Sequence, residues 1–448
     1  MNNPARTGGP SDLAPATKIG RAQWMALVAA LLGWMFDGVE QGLFPLVARP
    51  ALLELMGPDA AQRMGTWLSA VTAAFLVGAA LGGIVFGWLG DRIGRVRAMA
   101  WSVLVYSVFS GLCAFAQAPW QLAILRCIGS VGMGGEWALG VALVMEVWPA
   151  RSRPTMAALI GAASNVGFLL IALAGLGTAV YPDALAGTLA NLGLPAAWTA
   201  TLMGADKSCW RFLMLVGATP ALLTFFIRLF VPESERWQQA AEKAPAPRVA
   251  DIFAPELRRN TILATCLGAI ALLGTWGSVL WFPSWAARLS PDDLLARPKT
   301  LIAIAVGATI GTIVAAYLAQ WTSRRATYFG LALASLLVCG YLFRAQLEFG
   351  PAYLALVCLA GAVTASFYGW LPLYLPELFP TRVRATGQGF AYNFGRVLAA
   401  AGTLASGQLL NSFGEDYART GAVTSLIYIV GLVLIWFCPE TKGRPLPE

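Results

Sequence analysis

Histidine is absent from this chain. No imidazole relay or imidazole metal ligand can be built from it, so proton handling near neutral pH falls to carboxylates. Charge is scarce as well, at 12% of residues against roughly 25% in ordinary soluble domains. That is too little polar sequence to coat two or three water-facing domains. The seven cysteines (Cys113, Cys127, Cys209, Cys266, Cys339, Cys358 and Cys438) are scattered through apolar stretches without CxxC spacing. They read as small buried hydrophobes, neither disulfides nor metal ligands. Phosphate-loop and dinucleotide patterns are missing, as are metal-ligand clusters and nucleophile motifs. The expectation is therefore a non-enzyme with no catalytic residue, metal or cofactor, and not an ATP-driven machine.

Apolar residues make up 58% of the chain, arranged in about twelve runs of ~20 residues, the length needed to cross a bilayer. The runs predict helices at 22–48, 66–89, 98–117, 120–148, 154–180, 209–231, 261–287, 300–320, 326–344, 351–375, 385–411 and 421–438. The fold class expected is an all-α integral membrane protein. Most of the 31 lysines and arginines fall in loops on one face, which makes that face cytoplasmic and puts both termini there. The same clustering in short loops explains the net charge of +8 without a nucleic-acid partner. No small-residue cleavage site follows the first apolar run, which is read as a retained helix. A polar segment at 232–260, with Pro245 and Pro247, splits the chain into an N-terminal half (22–231) and a C-terminal half (261–438), flanked by tails at 1–21 and 439–448.

The halves share a signal. Glu146-Val-Trp-Pro149-Ala-Arg151-Ser-Arg153-Pro-Thr155 aligns with Glu377-Leu-Phe-Pro380-Thr-Arg382-Val-Arg384-Ala-Thr386 at a constant offset, after the fourth helix of each half. This predicts a parallel repeat with a substrate site between the halves.

Ionisable residues inside the apolar runs stand out, because they are costly there and usually face a bundle interior or water-filled cavity. Asp37 and Glu40 lie on one face of the first helix. Asp37 is ~22 Å above the inner end of its helix and Arg126 ~9 Å below the outer surface. In a core ~30 Å thick these depths nearly coincide, so Asp37 is expected to face Arg126, with Glu40 as the alternative titrating group. Glu136, after Gly134-Gly135, is either a second proton site or a group bonded to backbone that the glycines open. Arg396 lies ~16 Å from the inner end of its helix, with no acid of similar depth in the second half. A cation without a resident partner suggests an anionic ligand held in bidentate fashion; pairing with Glu136 or Glu40 is the alternative. Asn393 and Asn165 are candidate hydrogen-bond donors, and Trp276, Tyr368 and Trp370 candidate walls of a substrate site.

The strongest local motif is Gly87-Trp-Leu-Gly90-Asp91-Arg92-Ile-Gly94-Arg95-Val-Arg97, a tight loop between the second and third helices. It resembles the cytoplasmic signature of the major facilitator superfamily. Three further stretches resemble that family's sugar-porter and metabolite:proton-symporter branches: Arg126-Cys-Ile-Gly129-Ser-Val-Gly132-Met-Gly134-Gly135-Glu136, Pro232-Glu233-Ser234-Glu235-Arg236-Trp237, and Pro439-Glu440-Thr441-Lys442-Gly443. With the repeated Glu-x-x-Pro-x-x-x-Arg they span most of the chain. The resemblance implies twelve transmembrane helices in two six-helix halves. It implies that Asp91, near the N-terminus of the eleventh helix, bridges the halves with Arg92 and Arg95, joined by Glu146, Arg153, Glu377 and Arg384. The second half departs from the pattern: Ser323-Arg324-Arg325-Ala326 lacks the matching acid, so an asymmetric latch is expected. The resemblance also implies that the first-helix aspartate switches between a proton and the fourth-helix arginine.

The expectation is a proton-coupled symporter of a small organic solute, favouring an organic anion, that works as a monomer in a bacterial inner membrane. A sugar or polyol carrier is the alternative, and a non-transporting sensor with the same fold stands further off. The absence of a proline from Ile160 to Val180 in the fifth helix speaks against a drug exporter.

Overall fold

The computed structural model describes residues 19–448 except 58–59, 205–206, 244–246, 280–281, 294, 346 and 414–415. It is helical throughout, and twelve transmembrane segments succeed one another. In the first half these are α1 (Arg21–Met56), α2 (Ala60–Ile93), α3 (Arg95–Leu112), α4 (Pro119–Val147), α5 (Arg153–Val180) and α6 (Trp210–Val216 continued by Ala221–Phe230). The second half holds α7 (Arg258–Ser278, followed by Phe282–Leu289), α8 (Ala296–Trp321), α9 (Arg324–Leu342), α10 (Pro351–Ala365 and Phe367–Tyr374), α11 (Arg384–Ser412) and α12 (Tyr417–Thr424 and Ile427–Leu434). Among the described residues, nine helices are long and apolar enough to cross a membrane. The other three segments are α6, which breaks at 217–220, α7, and α11, which carries the polar residues discussed below.

Three departures from the sequence expectation have local causes. α1 does not stop at 48 but runs through Pro50 to Met56, because Val47, Ala48, Ala51 and Leu52 bury against Val71, Cys113, Leu122 and Trp210. Burial of that stripe outweighs the loss of one backbone donor at the proline. α6 breaks at 217–220, where Pro220 cannot donate; the turn tightens instead through Ala218 N to Leu215 O at 2.9 Å and Thr219 N to Val216 O at 3.1 Å. Between α5 and α6 lie two short helices not expected from the sequence, Pro182–Asn191 and Ala196–Met203.

Close packing at glycines holds each half together, as is usual where lipid supplies no hydrophobic drive between helices. Gly167 of α5 lies on the Met35 carbonyl of α1, and Gly134 of α4 on the Ala79 carbonyl of α2. Between the halves, α2 packs on α11, and α5 on α8 and α10. There Gly83 touches the Asn393 side chain and Gly161 the Tyr368 carbonyl. Pro372 leaves that carbonyl without its usual helical donor, which suits it to a close neighbour. The end of the bundle that carries Arg95, Arg153, Arg324 and Arg384 is called the basic end here.

Adding a side chain at Gly167 overpacks α1 against α5, so Gly167→Val is expected to cost about 1–3 kcal/mol and to lower the unfolding temperature of detergent-purified protein by several degrees. Gly177→Val, on the same helix with open space around it, serves as the control and should leave the transition in place.

Candidate functional site

Five ionisable side chains are buried in the middle of the bundle: Asp37, Glu40, Arg126, Glu136 and Arg396. Arg126 of α4 forms its ion pair with Glu40. The expected Asp37–Arg126 pair is therefore corrected: the partner sits one helical turn further along α1. Two rings complete the cage, with the guanidinium carbon 5.1 Å from the Phe44 centroid and 4.6 Å from that of Phe75, a cation–π arrangement. Gly217, at the break in α6, lets that helix approach the second Glu40 oxygen.

Asp37 is fully buried, and neither of its oxygens has a hydrogen-bond partner. The charges that act on it through space are Glu136, Arg396 and Glu40. Glu136 is also buried with both oxygens unpartnered, its carboxylate pressed against Gly33 of α1. The backbone-bonded alternative for Glu136 is thus not what the structure holds. The Tyr106 hydroxyl of α3, buried and unpartnered, lies within the field of all three acids. Sequence reasoning missed it.

Arg396 sits over the Tyr392 ring at 5.2 Å, with Nη1 buried and unpartnered. It forms no ion pair with Glu136 or Glu40, and the acid within its electrostatic reach is Asp37. Tyr392 stacks on Trp137 of α4 at 4.2 Å and meets Trp34 of α1 at 6.3 Å and Tyr368 of α10 at 6.5 Å. The indole N–H groups of Trp34 and Trp137 are buried without acceptors. One aromatic floor thus joins the two halves beneath unsatisfied donors and acceptors. Trp34, Trp137 and Tyr392 were not singled out from the sequence. The available signal was spacing: Trp34 shares a helix face with Asp37, and Tyr392 shares one with Arg396.

The remaining candidates divide. Asn393 donates to the Gly134 carbonyl at 2.9 Å and to that of Gly389 at 3.0 Å, so its amide ties α11 to α4; only its carbonyl oxygen is open. Asn165 is half-buried and makes only a long contact to Gly161 O at 3.5 Å. Trp370 is corrected: it is fully buried in the second half, its indole N–H on the Arg324 carbonyl at 3.0 Å and its ring stacked on Tyr374. The side chain of Trp276 lies outside the described residues.

At the basic end the halves are latched. Asp91 accepts from the Ala385 and Thr386 amides at 3.2 and 2.7 Å and from the Thr386 hydroxyl at 2.6 Å. It therefore caps the first turn of α11, where the helix dipole favours an anion. Arg95 binds Asp91 at 2.6 Å, Glu146 at 3.0 Å and, across the halves, the Thr381 carbonyl at 2.7 Å. Arg384 reaches back to the same Glu146 oxygen at 2.9 Å. Arg92 is not in this network; its guanidinium lies over Trp88 at 5.0 Å. Arg153 bonds the Met145 carbonyl rather than an acid, and Glu377 pairs with Arg324 inside its own half.

The two Pro-Glu motifs find equivalent places. Glu233 accepts from the Arg95 and Val96 amides at the start of α3, and Glu440 from the Arg324 and Arg325 amides at the start of α9. Burial pushes the Glu233 carboxyl up despite its amide donors. Burial acts in the same sense on Glu440, but the Arg324, Arg325 and Lys442 amides hold that carboxyl below the usual range.

The family model of the Major Facilitator Superfamily matches residues 24–403; the chain belongs to this family and is a multi-pass membrane transporter. Among its relatives, the probable 4-methylmuconolactone transporter of Cupriavidus pinatubonensis is 29% identical, over 93% of this chain and 90% of its own. The cis,cis-muconate transport protein of Acinetobacter baylyi is 28% identical, over 96% and 98%. The solved structure of the proton:xylose symporter XylE bound to 6-bromo-6-deoxy-D-glucose superposes with a TM-score of 0.72, covering 95% of this chain and 98% of that one at 18% identity. At that identity the likeness concerns the fold alone.

Removing one partner of a buried ion pair leaves the other charge uncompensated, at a cost of about 3–5 kcal/mol. Glu40→Gln is therefore expected to destabilise the protein strongly in thermal unfolding. Asp37→Asn removes no hydrogen bond and should shift the transition far less.

Proposed function

We propose that this transporter is a proton-coupled symporter of a small organic anion, a carboxylate, working by alternating access in a bacterial inner membrane with both termini in the cytoplasm. One observation carries the reading: a buried arginine between the halves, with a free N–H on Nη1, and within its electrostatic reach an acid, Asp37, that has no hydrogen-bond partner. The names of the relatives that carry muconate and 4-methylmuconolactone support it.

The coupling follows from charge balance. Arg126 and Glu40 neutralise each other, and Arg396 and Asp37 offset each other through space. When a substrate carboxylate binds Arg396, Asp37 loses its compensating charge in a site without water-like screening, and it takes a proton. When the proton leaves, Asp37 reclaims the field of Arg396 and the anion is released. The loaded site, with anion and proton both present, carries the same net charge as the empty one. That equality lets both cross the bilayer interior, and the half-loaded forms do not. Glu136 has no cation of its own and no hydrogen-bond partner, and its carboxyl packs against Gly33 of α1. Trp34, Trp137, Tyr392 and Tyr368 wall the substrate, and the Asn165 amide and the open Asn393 carbonyl supply its polar contacts. The latch around Asp91, Arg95, Glu146 and Arg384 holds the basic end shut until the halves rock apart.

The test is uptake into proteoliposomes under an inward proton gradient, with muconate, benzoate and xylose as solutes. Carboxylates are expected to accumulate and xylose is not. Arg396→Gln, which removes a charge-assisted hydrogen bond of about 1.5–3 kcal/mol, should lower carboxylate uptake roughly ten-fold or more. Asp37→Asn should retain exchange of labelled for unlabelled carboxylate while losing accumulation against a gradient. Xylose accumulation, or concentrative uptake by Asp37→Asn, would overturn the reading.

A further inference from the structure

Arg92 belongs to the loop motif but not to the latch, and its surroundings point elsewhere. It lines an open cleft of about 430 Å³ together with Trp88, Pro247, Arg248 and Val249. Two exposed guanidinium groups flank this cleft, and among the described residues no acid lines it. The acid closest in sequence to Arg248, Asp251, already serves other donors: the Arg248 amide at 3.0 Å and the Arg382 guanidinium at 2.8 Å. The aromatic wall is fixed as well, since the Trp88 indole N–H donates to the Pro247 carbonyl at 3.0 Å. A tryptophan just inside a helix end, with an arginine one turn further out, is the arrangement found at a membrane–water interface.

The two sides of the cleft belong to different halves. Trp88 and Arg92 are on α2. The segment carrying Arg248 rides on the second half: Asp251 is paired with Arg382, the Thr261 hydroxyl of α7 donates to Ile252 O at 2.5 Å, and Phe253 meets Phe390 of α11 edge-on at 5.1 Å. Whatever binds both arginines also ties the halves together at the basic end.

We propose that this cleft binds the phosphodiester of an anionic phospholipid headgroup between Arg92 and Arg248, with Trp88 against the glycerol and upper acyl region, and that the bound lipid stabilises the state closed at the basic end. Basic pockets at the membrane surface suit such headgroups. The position of Trp88, just inside the end of α2 where tryptophans mark the membrane–water interface, favours a lipid over a soluble phosphate, because a free ion would have no use for an apolar wall. The inference does not depend on which solute is carried.

The experiment compares unfolding temperatures of the full chain in nanodiscs of phosphatidylcholine with and without phosphatidylglycerol, alongside native mass spectrometry of retained lipid. Binding to the folded state raises the transition by mass action. Phosphatidylglycerol should raise it, and one phosphatidylglycerol should stay bound to the released protein. Arg92→Gln and Arg248→Gln should each lose most of the shift and the retained lipid. Arg97→Gln, removing an exposed charge outside the cleft, should keep both. Equal shifts in wild type and the two cleft variants would overturn the proposal. So would a full shift produced in phosphatidylcholine by excess inorganic phosphate, which would assign the cleft to a soluble anion. If Arg92→Gln fails to fold, Arg248→Gln on the linker surface decides alone.

Discussion

The structure is governed by an imbalance: three carboxylates and two guanidinium groups are buried in the same region of a bilayer-spanning bundle. An ion kept from water needs a counter-charge or a proton. Arg126 and Glu40 satisfy each other at contact distance, inside a cage of Phe44 and Phe75. Asp37 and Glu136 have no such contact. For Asp37 the cation within electrostatic reach is Arg396; Glu136 has none.

Pseudo-symmetry explains the rest of the polar architecture and where it fails. Each half places an arginine at the start of its third helix, donates from its Nη1 to the carbonyl five residues earlier, and receives a Pro-Glu carboxylate on its first backbone amides. Each pairs that arginine with the glutamate that ends its fourth helix region, Arg95 with Glu146 and Arg324 with Glu377. Only the first half adds an aspartate that crosses over to cap the opposite half. Where the second half lacks it, a weaker link stands instead, the Tyr317 hydroxyl to Thr155 Oγ1 at 3.1 Å. The latch is consequently held from one side.

The fold was legible from the sequence because apolar runs of membrane-spanning length and a repeated Glu-x-x-Pro-x-x-x-Arg allow few arrangements. The Asp91–α11 contact was legible through resemblance, since the residues that make it are contiguous and the loop is tight. The central site was less so. Depth reckoned from helix rise cannot separate positions one turn apart, which is why Arg126 was matched to Asp37 when Glu40 holds it. Helix rotation is equally invisible, so Trp370 was read as a wall when it is core, and Trp34, Trp137 and Tyr392 were overlooked. Arg92 and Arg153 were grouped with the latch by motif membership alone. Their side chains lead elsewhere because the first lies over Trp88 and the second finds the Met145 carbonyl.

α11 joins these observations. Arg384, Gln388, Tyr392 and Arg396 follow one another at four-residue steps, so they rise along one face of a single helix. Its first turn is fastened by Asp91 and Glu146, and its middle carries the buried Arg396. A rod gripped at one end and loaded midway along its length can pass force in either direction. By thermodynamic reciprocity, if a ligand bound at Arg396 shifts the grip of Asp91, that grip shifts the ligand's affinity by the same free energy, and one helix would serve both cargo and gate.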